Sequence, residues 1–161
     1  MLNTALQVLF KDGSIADNSY QLIGEDGILP QGDVVLTVEQ LDQLANVTGK
    51  KALYLTVDAS PETNEFPLHQ FDAIFIEFAG FNDGRGYSFA ALLRRQGFVG
   101  ELRATGDVFK DVLNYMKRSG FDSFVIKEGK DITEAAAGLG DFTHPYQAST
   151  AVKEAHYQTG A

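Results

Sequence analysis

The sequence predicts an α/β fold: about five βα units on a mainly parallel sheet, preceded by an N-terminal β-hairpin. Three observations carry that expectation. Short runs rich in β-branched and aromatic residues recur along the chain. Segments with apolar residues at helical spacing lie between most of them. A pattern of helix end, glycine, phenylalanine and strand also occurs twice in succession. Alternation at this spacing argues for parallel strands joined by crossovers. The sheet either closes partly, like a truncated barrel, or stays open as a three-layer sandwich.

In chain order, ALQVLF (5–10), KDGS and SYQLIG (19–24) read as strand, turn and strand of the hairpin. GEDGILPQGD (24–33) is a turn-rich loop. The parallel strands are VVLT (34–37), ALYLTV (52–57), AIFIEFA (73–79), ELRAT (101–105) and SFVIKE (123–128). Glu39 to Asn46 places Leu41 and Leu44 on one helical face, starting at Thr37 or Val38. ASPETNEFPLHQ (59–70) is too proline-punctuated for a long helix. Ser88 to Gln96 reads as a helix with Ser88 as its cap. Asp107 to Ser119 repeats Val108, Phe109, Val112, Leu113 and Met116 at helical spacing and ends at Gly120. The tail 144–161 has a short helical pattern around 148–156 with a weak core face, and is expected to fray or pack on a partner. The 161 residues then form a single domain without a linker.

The repeat aligns LLRRQGFVGELRATG (92–106) with YMKRSGFDSFVIKEG (115–129). Gly97-Phe98 and Gly120-Phe121 read as left-handed glycine caps followed by a phenylalanine folding back on the last turn. FDAIFIEFAG (71–80) is a third, partial copy.

Composition narrows the function classes. With no cysteine, disulfides, thiolate metal sites and a cysteine nucleophile are excluded. A net charge of −9 repels phosphodiester backbones, so nucleic acid is not an expected partner. Basic residues at Arg94-Arg95, Arg103, Lys110 and Lys117-Arg118 are interspersed with acids, as on a solvated face. No apolar run is long enough for a membrane span. The start of the chain lacks secretory-signal features, which gives a cytoplasmic expectation. His69, His144 and His156 lack metal-ligand spacing, and no nucleophile elbow, P-loop or dinucleotide fingerprint is present, so no cofactor is evident.

Ligands of parallel α/β folds gather at the carboxyl ends of the strands. There lie Asn82, Asp83, Arg85, Tyr87 and Ser88, then Thr105 and Asp107, then Glu128, Lys130 and Asp131. The loop FNDGRGYS (81–88) has an anion-site rationale: Gly84 and Gly86 allow close backbone approach, a helix start offers N–H groups, and Arg85 can grip an oxyanion. It has an equally simple structural reading, with Asp83-Gly84 as a turn, Ser88 as a cap and Arg85 paired to Asp83. Charges inside strands form a second signal. Glu77 and Arg103 read as a salt bridge across adjacent strands, or as a general base beside an anion clamp. Arg85, Gly86, Tyr87, Ser88, Arg103 and Thr105 are therefore the ligand-binding candidates, and Asp83, Asp107 and Glu77 the acid/base candidates.

The run from Asp83 to Phe124 resembles a bacterial family of domains of unknown function. Its hallmarks stand here as DGRGYS (83–88), GELRA (100–104), GDV (106–108) and the segment Arg118 to Phe124. Phe142 and Tyr146-Gln147 fit as well. Val112, after Asp111, stands where the family usually has the glutamine of Asp-Gln-Leu. The resemblance implies sulfur assimilation, because members are often encoded beside the sulfite reductase haemoprotein, and some carry an oxidoreductase label. It implies no established activity or catalytic residue.

Three expectations follow. The first is an accessory protein of assimilatory sulfite reduction that contacts the reductase or its electron donor. The second is a small enzyme or anion-binding protein using the rim. The third is a homodimer in which FNDGRGYS is purely structural.

Overall fold

The structure, a computed structural model, describes residues 7–62, 65–80 and 82–140. The strands are β1 (Gln7–Phe10), β2 (Ile15–Asp17), β3 (Gln21–Leu22), β4 (Val34–Thr37), β5 (Lys51–Leu55), β6 (Ala73–Phe78), β7 (Glu101–Gly106) and β8 (Ser123–Phe124). They form one mixed sheet in the order β2-β1-β8-β7-β6-β5-β4-β3, parallel from β3 to β8 and antiparallel at β1 and β2. The helices are α1 (Arg85–Arg95), α2 (Leu113–Arg118) and α3 (Ile132–Gly140), with 3₁₀ turns at Val38–Asn46, Leu68–Gln70 and Lys110–Val112.

The five expected parallel strands are present, but their connections are not uniform βα units. Only α1 is a long crossover helix. The β4–β5 link is a 3₁₀ helix opened by Gln40, whose side chain accepts from the Thr37 N–H at 3.0 Å. The β5–β6 link is a loop with one short turn, and the expected helix over 107–119 is a 3₁₀ turn followed by α2. α3 was not anticipated. Its start is capped by Asp131, whose carboxylate accepts from the N–H of Thr133 at 2.8 Å. The expected helix at 148–156 lies outside the described residues.

The hairpin requires a correction. β1 turns at KDGS, where Asp12 accepts from the Ser14 N–H and hydroxyl at 2.9 and 2.6 Å. Its antiparallel partner is Ile15–Asp17, not 19–24. Gln21–Leu22 instead pairs in parallel with β4 at the opposite end of the sheet.

That crossing fixes the shape. Seven strand spacings separate β2 from β3, roughly 33 Å in a flat sheet at about 4.8 Å each. The chain from Asp17 to Gln21 reaches at most about 15 Å. The sheet must therefore curl, and it forms a half-barrel in which β2 and β3 approach without pairing. The strap 18–20 spans the gap. The described helices all pack on one face, so the truncated-barrel alternative holds and the three-layer one does not.

Alternation divides each strand between two environments. Leu36, Leu53, Ile74, Ile76, Phe78, Leu102, Ala104 and Phe124 face the helices and meet Phe89, Leu93, Leu113, Met116 and Leu139. Val35, Ala52, Tyr54, Ala73 and Phe75 face the concave side with Tyr20 from the strap.

The internal repeat has a physical basis. Gly97 and Gly120 have φ of +100° and +111°. Phe98 N–H bonds the Leu93 carbonyl at 3.0 Å and Phe121 N–H the Met116 carbonyl at 3.2 Å, the same six-to-one helix closure. Asp122, after Phe121, accepts from the Leu102 N–H at 2.9 Å, and Asp72, after Phe71, accepts from the Lys51 N–H at 2.9 Å. Each Phe-Asp pair thus seals a strand start against its neighbour.

Candidate functional site

The sheet separates the sequence-derived candidates into two groups. Arg85 to Ser88 belong to α1 on the convex side. Glu77, Arg103 and Thr105 point to the concave side, because they alternate with Phe78 and Ala104.

In the first group, the helix begins at Arg85 with Gly84 as cap, so Ser88 is not the N-cap. Ser88 lies one turn in and returns its hydroxyl to the Gly84 carbonyl at 3.3 Å. Gly86 is buried because α1 rests on Phe78: a Cβ there would stand 2.5 Å from that ring. Tyr87 continues the contact, its ring tilted against Phe78 at 4.9 Å and edge-on to Tyr115 at 4.7 Å, and burial pushes its hydroxyl up to about 12. Arg85 is 57% exposed and closes on Asp83 through Nε at 3.0 and 3.2 Å and Nη2 at 2.7 Å. Those hydrogen bonds, with one from the Arg85 N–H, hold the Asp83 carboxyl at about 2. A carboxylate held that low is a poor proton acceptor at neutral pH. Asn82 is exposed beside it.

In the second group, Arg103 does not bridge to Glu77. Register puts Arg103 opposite Phe75, and Glu77 opposite Thr105. The Arg103 side chain, 4% exposed, pairs with Glu101 at 2.7 Å and donates to Ser123 at 3.1 Å and Asn18 at 3.1 Å. Its guanidinium lies 4.6 Å over Phe75 and 5.4 Å over Tyr20. Burial raises the Tyr20 hydroxyl well above its ordinary range, with the Glu101 charge adding and the Arg103 charge opposing. This cluster sits toward the amino-terminal half of β7, away from the mouth.

Toward the carboxyl ends the concave side carries different groups. The Tyr54 hydroxyl donates to Glu77 at 3.0 Å and lies 3.0 Å from the Thr105 hydroxyl. Beyond them Asp107 pairs with Lys127 at 2.7 Å, and Lys127 sits 5.8 Å from the Phe109 ring. The turn that delivers Asp107 depends on Gly106, at φ +91°, where a Cβ would meet the Phe78 carbonyl oxygen at 2.3 Å. At the carboxyl ends of the strands the phenol of Tyr54, the carboxylate of Glu77 and the hydroxyl of Thr105 thus form one hydrogen-bonded group, and Asp107 with Lys127 a second, ionic pair. Such a set can hold a polar ligand and relay a proton. Sequence reasoning placed Thr105 and Asp107 on this rim and singled out Glu77 only as a charge inside a strand, and it missed Tyr54, which read as an ordinary aromatic strand residue. Glu128 and Lys130 are exposed, and Asp131 serves as the α3 cap.

Among the described residues, no group of three or more histidine, cysteine or acidic side chains could hold a metal, and no helix is long and apolar enough to cross a membrane.

These features define a mostly parallel α/β half-barrel with polar groups at the carboxyl ends of its strands and a helix that begins within DGRGYS. The chain belongs to the family described as bacterial protein of unknown function (DUF934), whose model matches residues 52–157. The match begins in β5, so the strap and the four strands before it lie outside it. No curated protein matches the chain.

Proposed function

We propose that the chain is an accessory protein of assimilatory sulfite reduction, acting by contact with the reductase haemoprotein or its electron donor. The observation that supports contact over capture of a small anion is the closed Asp83–Arg85 pair. An anion arriving at α1 would have to displace a carboxylate already held by two guanidinium nitrogens. The net charge of −9 also repels small anions and speeds encounter with a basic protein surface. Family membership supplies the setting, through the gene neighbourhood that the resemblance implies. Co-purification with the haemoprotein at low and high salt tests the reading. Association that weakens with salt is expected, and no association at either salt removes it.

The mouth favours a second reading, a small enzyme or anion-binding protein in keeping with the oxidoreductase label some members carry. Glu77 or Asp107 would be the base, and Lys127 or Thr105 would hold the ligand. Calorimetry against sulfite, sulfate and phosphate separates the two. Heat in the wild type that disappears in Lys127→Ala supports the second reading. The absence of heat with all three anions removes anion binding.

A further inference from the structure

At the end of the sheet opposite the mouth, the β5–β6 loop and the α1–β7 turn enclose a groove of about 830 Å³. Its floor is apolar. Phe98 is buried there, and Phe66 and Leu68 are half-buried. Glu62 and Glu65 stand exposed on one lip, and Val99 on the other is 95% exposed.

Hydrogen bonds tie the α1–β7 turn in place. The Gln96 amide reaches across to the Pro61 carbonyl at 3.4 Å. Arg94 donates to the carbonyls of Phe98 at 3.1 Å and Gly100 at 2.8 Å, lies 5.6 Å over the Phe98 ring, and is anchored by Asp122 at 2.8 Å. Gly100 lets the turn press against β6, since a Cβ there would meet the Asp72 carbonyl oxygen at 2.5 Å. A groove already held in shape loses less entropy when it is filled.

We infer that this groove is the docking site for a basic, apolar segment of a partner protein, an inference that rests on the contact reading above. An apolar floor with a charged rim is the anatomy of a protein interface. A lone exposed valine is ordinary on a surface. Here, however, Val99 follows Phe98 on the lip of the groove, where a segment seated on the apolar floor would cover it. Arg94 lies off the lining and turns its guanidinium to carbonyls and to Asp122, which also pairs with Lys11. The charged side chains of the lining are therefore the carboxylates of Glu62 and Glu65, beside His69, and they call for lysine or arginine.

The probe is a fluorescently labelled amphipathic Lys/Leu peptide, with a Glu/Leu peptide of the same pattern as control, read by anisotropy. The wild type binds the Lys/Leu peptide and not the Glu/Leu one. Glu62→Lys/Glu65→Lys and Val99→Asp each weaken binding by about tenfold or more, whereas Asp17→Lys/Glu25→Lys, an equal charge change on distant exposed residues, weakens it by less than about threefold. Equal loss in the two charge variants, indifference to Val99→Asp, or equal binding of the Glu/Leu peptide overturns the assignment. So does self-association of the wild type that Val99→Asp abolishes, which would give the groove to a second copy. Circular dichroism confirms that each variant is folded. Reductase association undiminished in Glu62→Lys/Glu65→Lys would sink the groove and leave the proposed function. Peptide binding without any reductase association would do the reverse.

Discussion

The two faces of the half-barrel solve the same problem by different chemistry. The convex face is covered by α1, α2 and α3 and filled with aliphatic and phenylalanine side chains. The concave face buries Arg103 among Glu101, Ser123, Asn18 and two aromatic rings, and places Tyr54, Glu77 and Thr105 toward the mouth. Burial on the convex face is non-directional and tolerates adjustment. On the concave face each polar group depends on a particular partner, and losing one leaves others unmatched. The contrast teaches that the interior is where single substitutions cost most, while the conspicuous DGRGYS loop outside is cheap to alter at its arginine.

Arg103→Ala is the severest break. It strips Glu101 of its cation and opens space beside Phe75 and Tyr20, for an expected loss of about 3 kcal/mol in denaturant unfolding. Arg103→Lys should recover only part of this, because an ammonium cannot serve Glu101, Ser123 and Asn18 while lying flat on a ring. A recovery to wild-type stability would mean that charge alone matters there.

Gly106→Ala comes next, with an expected loss of about 2–3 kcal/mol from left-handed strain and contact with the Phe78 carbonyl. It also moves Asp107, so chemical shifts at the Asp107–Lys127 pair should change even where the protein stays folded. Tyr54→Phe should cost about 1 kcal/mol, because it removes the hydroxyl shared by Glu77 and Thr105 and keeps the ring.

Arg85→Ala is the mildest, with a denaturation midpoint at neutral pH close to that of the wild type, as for other exposed pairs. Its signature lies in acid. The folded Asp83 carboxyl, at about 2, sits below its ordinary 3.8, so the unfolded chain binds the proton first. The stabilisation is complete above pH 3.8 and is lost as pH falls through about 2. Removing Arg85 should move the Asp83 midpoint toward 3.8 in an NMR titration, since one hydrogen bond from the backbone remains. An unmoved midpoint would break the pairing assigned to the loop.

How much of this the sequence revealed follows the range of the interactions. Five parallel strands were legible because apolar β-branched runs such as AIFIEF report burial on both faces. The Gly-Phe helix ends were legible because left-handed glycine is a local requirement. β3 was assigned to the wrong partner because two residues carry no periodicity and their pairing depends on the curl of the whole sheet. The Arg103–Glu77 bridge failed for the same reason, since the register between β6 and β7 sets Arg103 opposite Phe75. α3 was overlooked although Asp131 is a capping residue and Ala135 to Ala137 favour a helix, because nine residues interrupted by Gly138 carry little helical period. Tyr54 was missed because its role lies in a hydroxyl that meets two other strands.

The central claim is that this protein works by contact through its acidic groove rather than by holding an anion at DGRGYS. Titration of the sulfite reductase haemoprotein with wild type, Arg85→Ala and Glu62→Lys/Glu65→Lys tests it most directly. The account predicts that Arg85→Ala binds as the wild type does, and that the groove variant is weaker by about tenfold or more. Loss of binding in Arg85→Ala with full binding in the groove variant would contradict it.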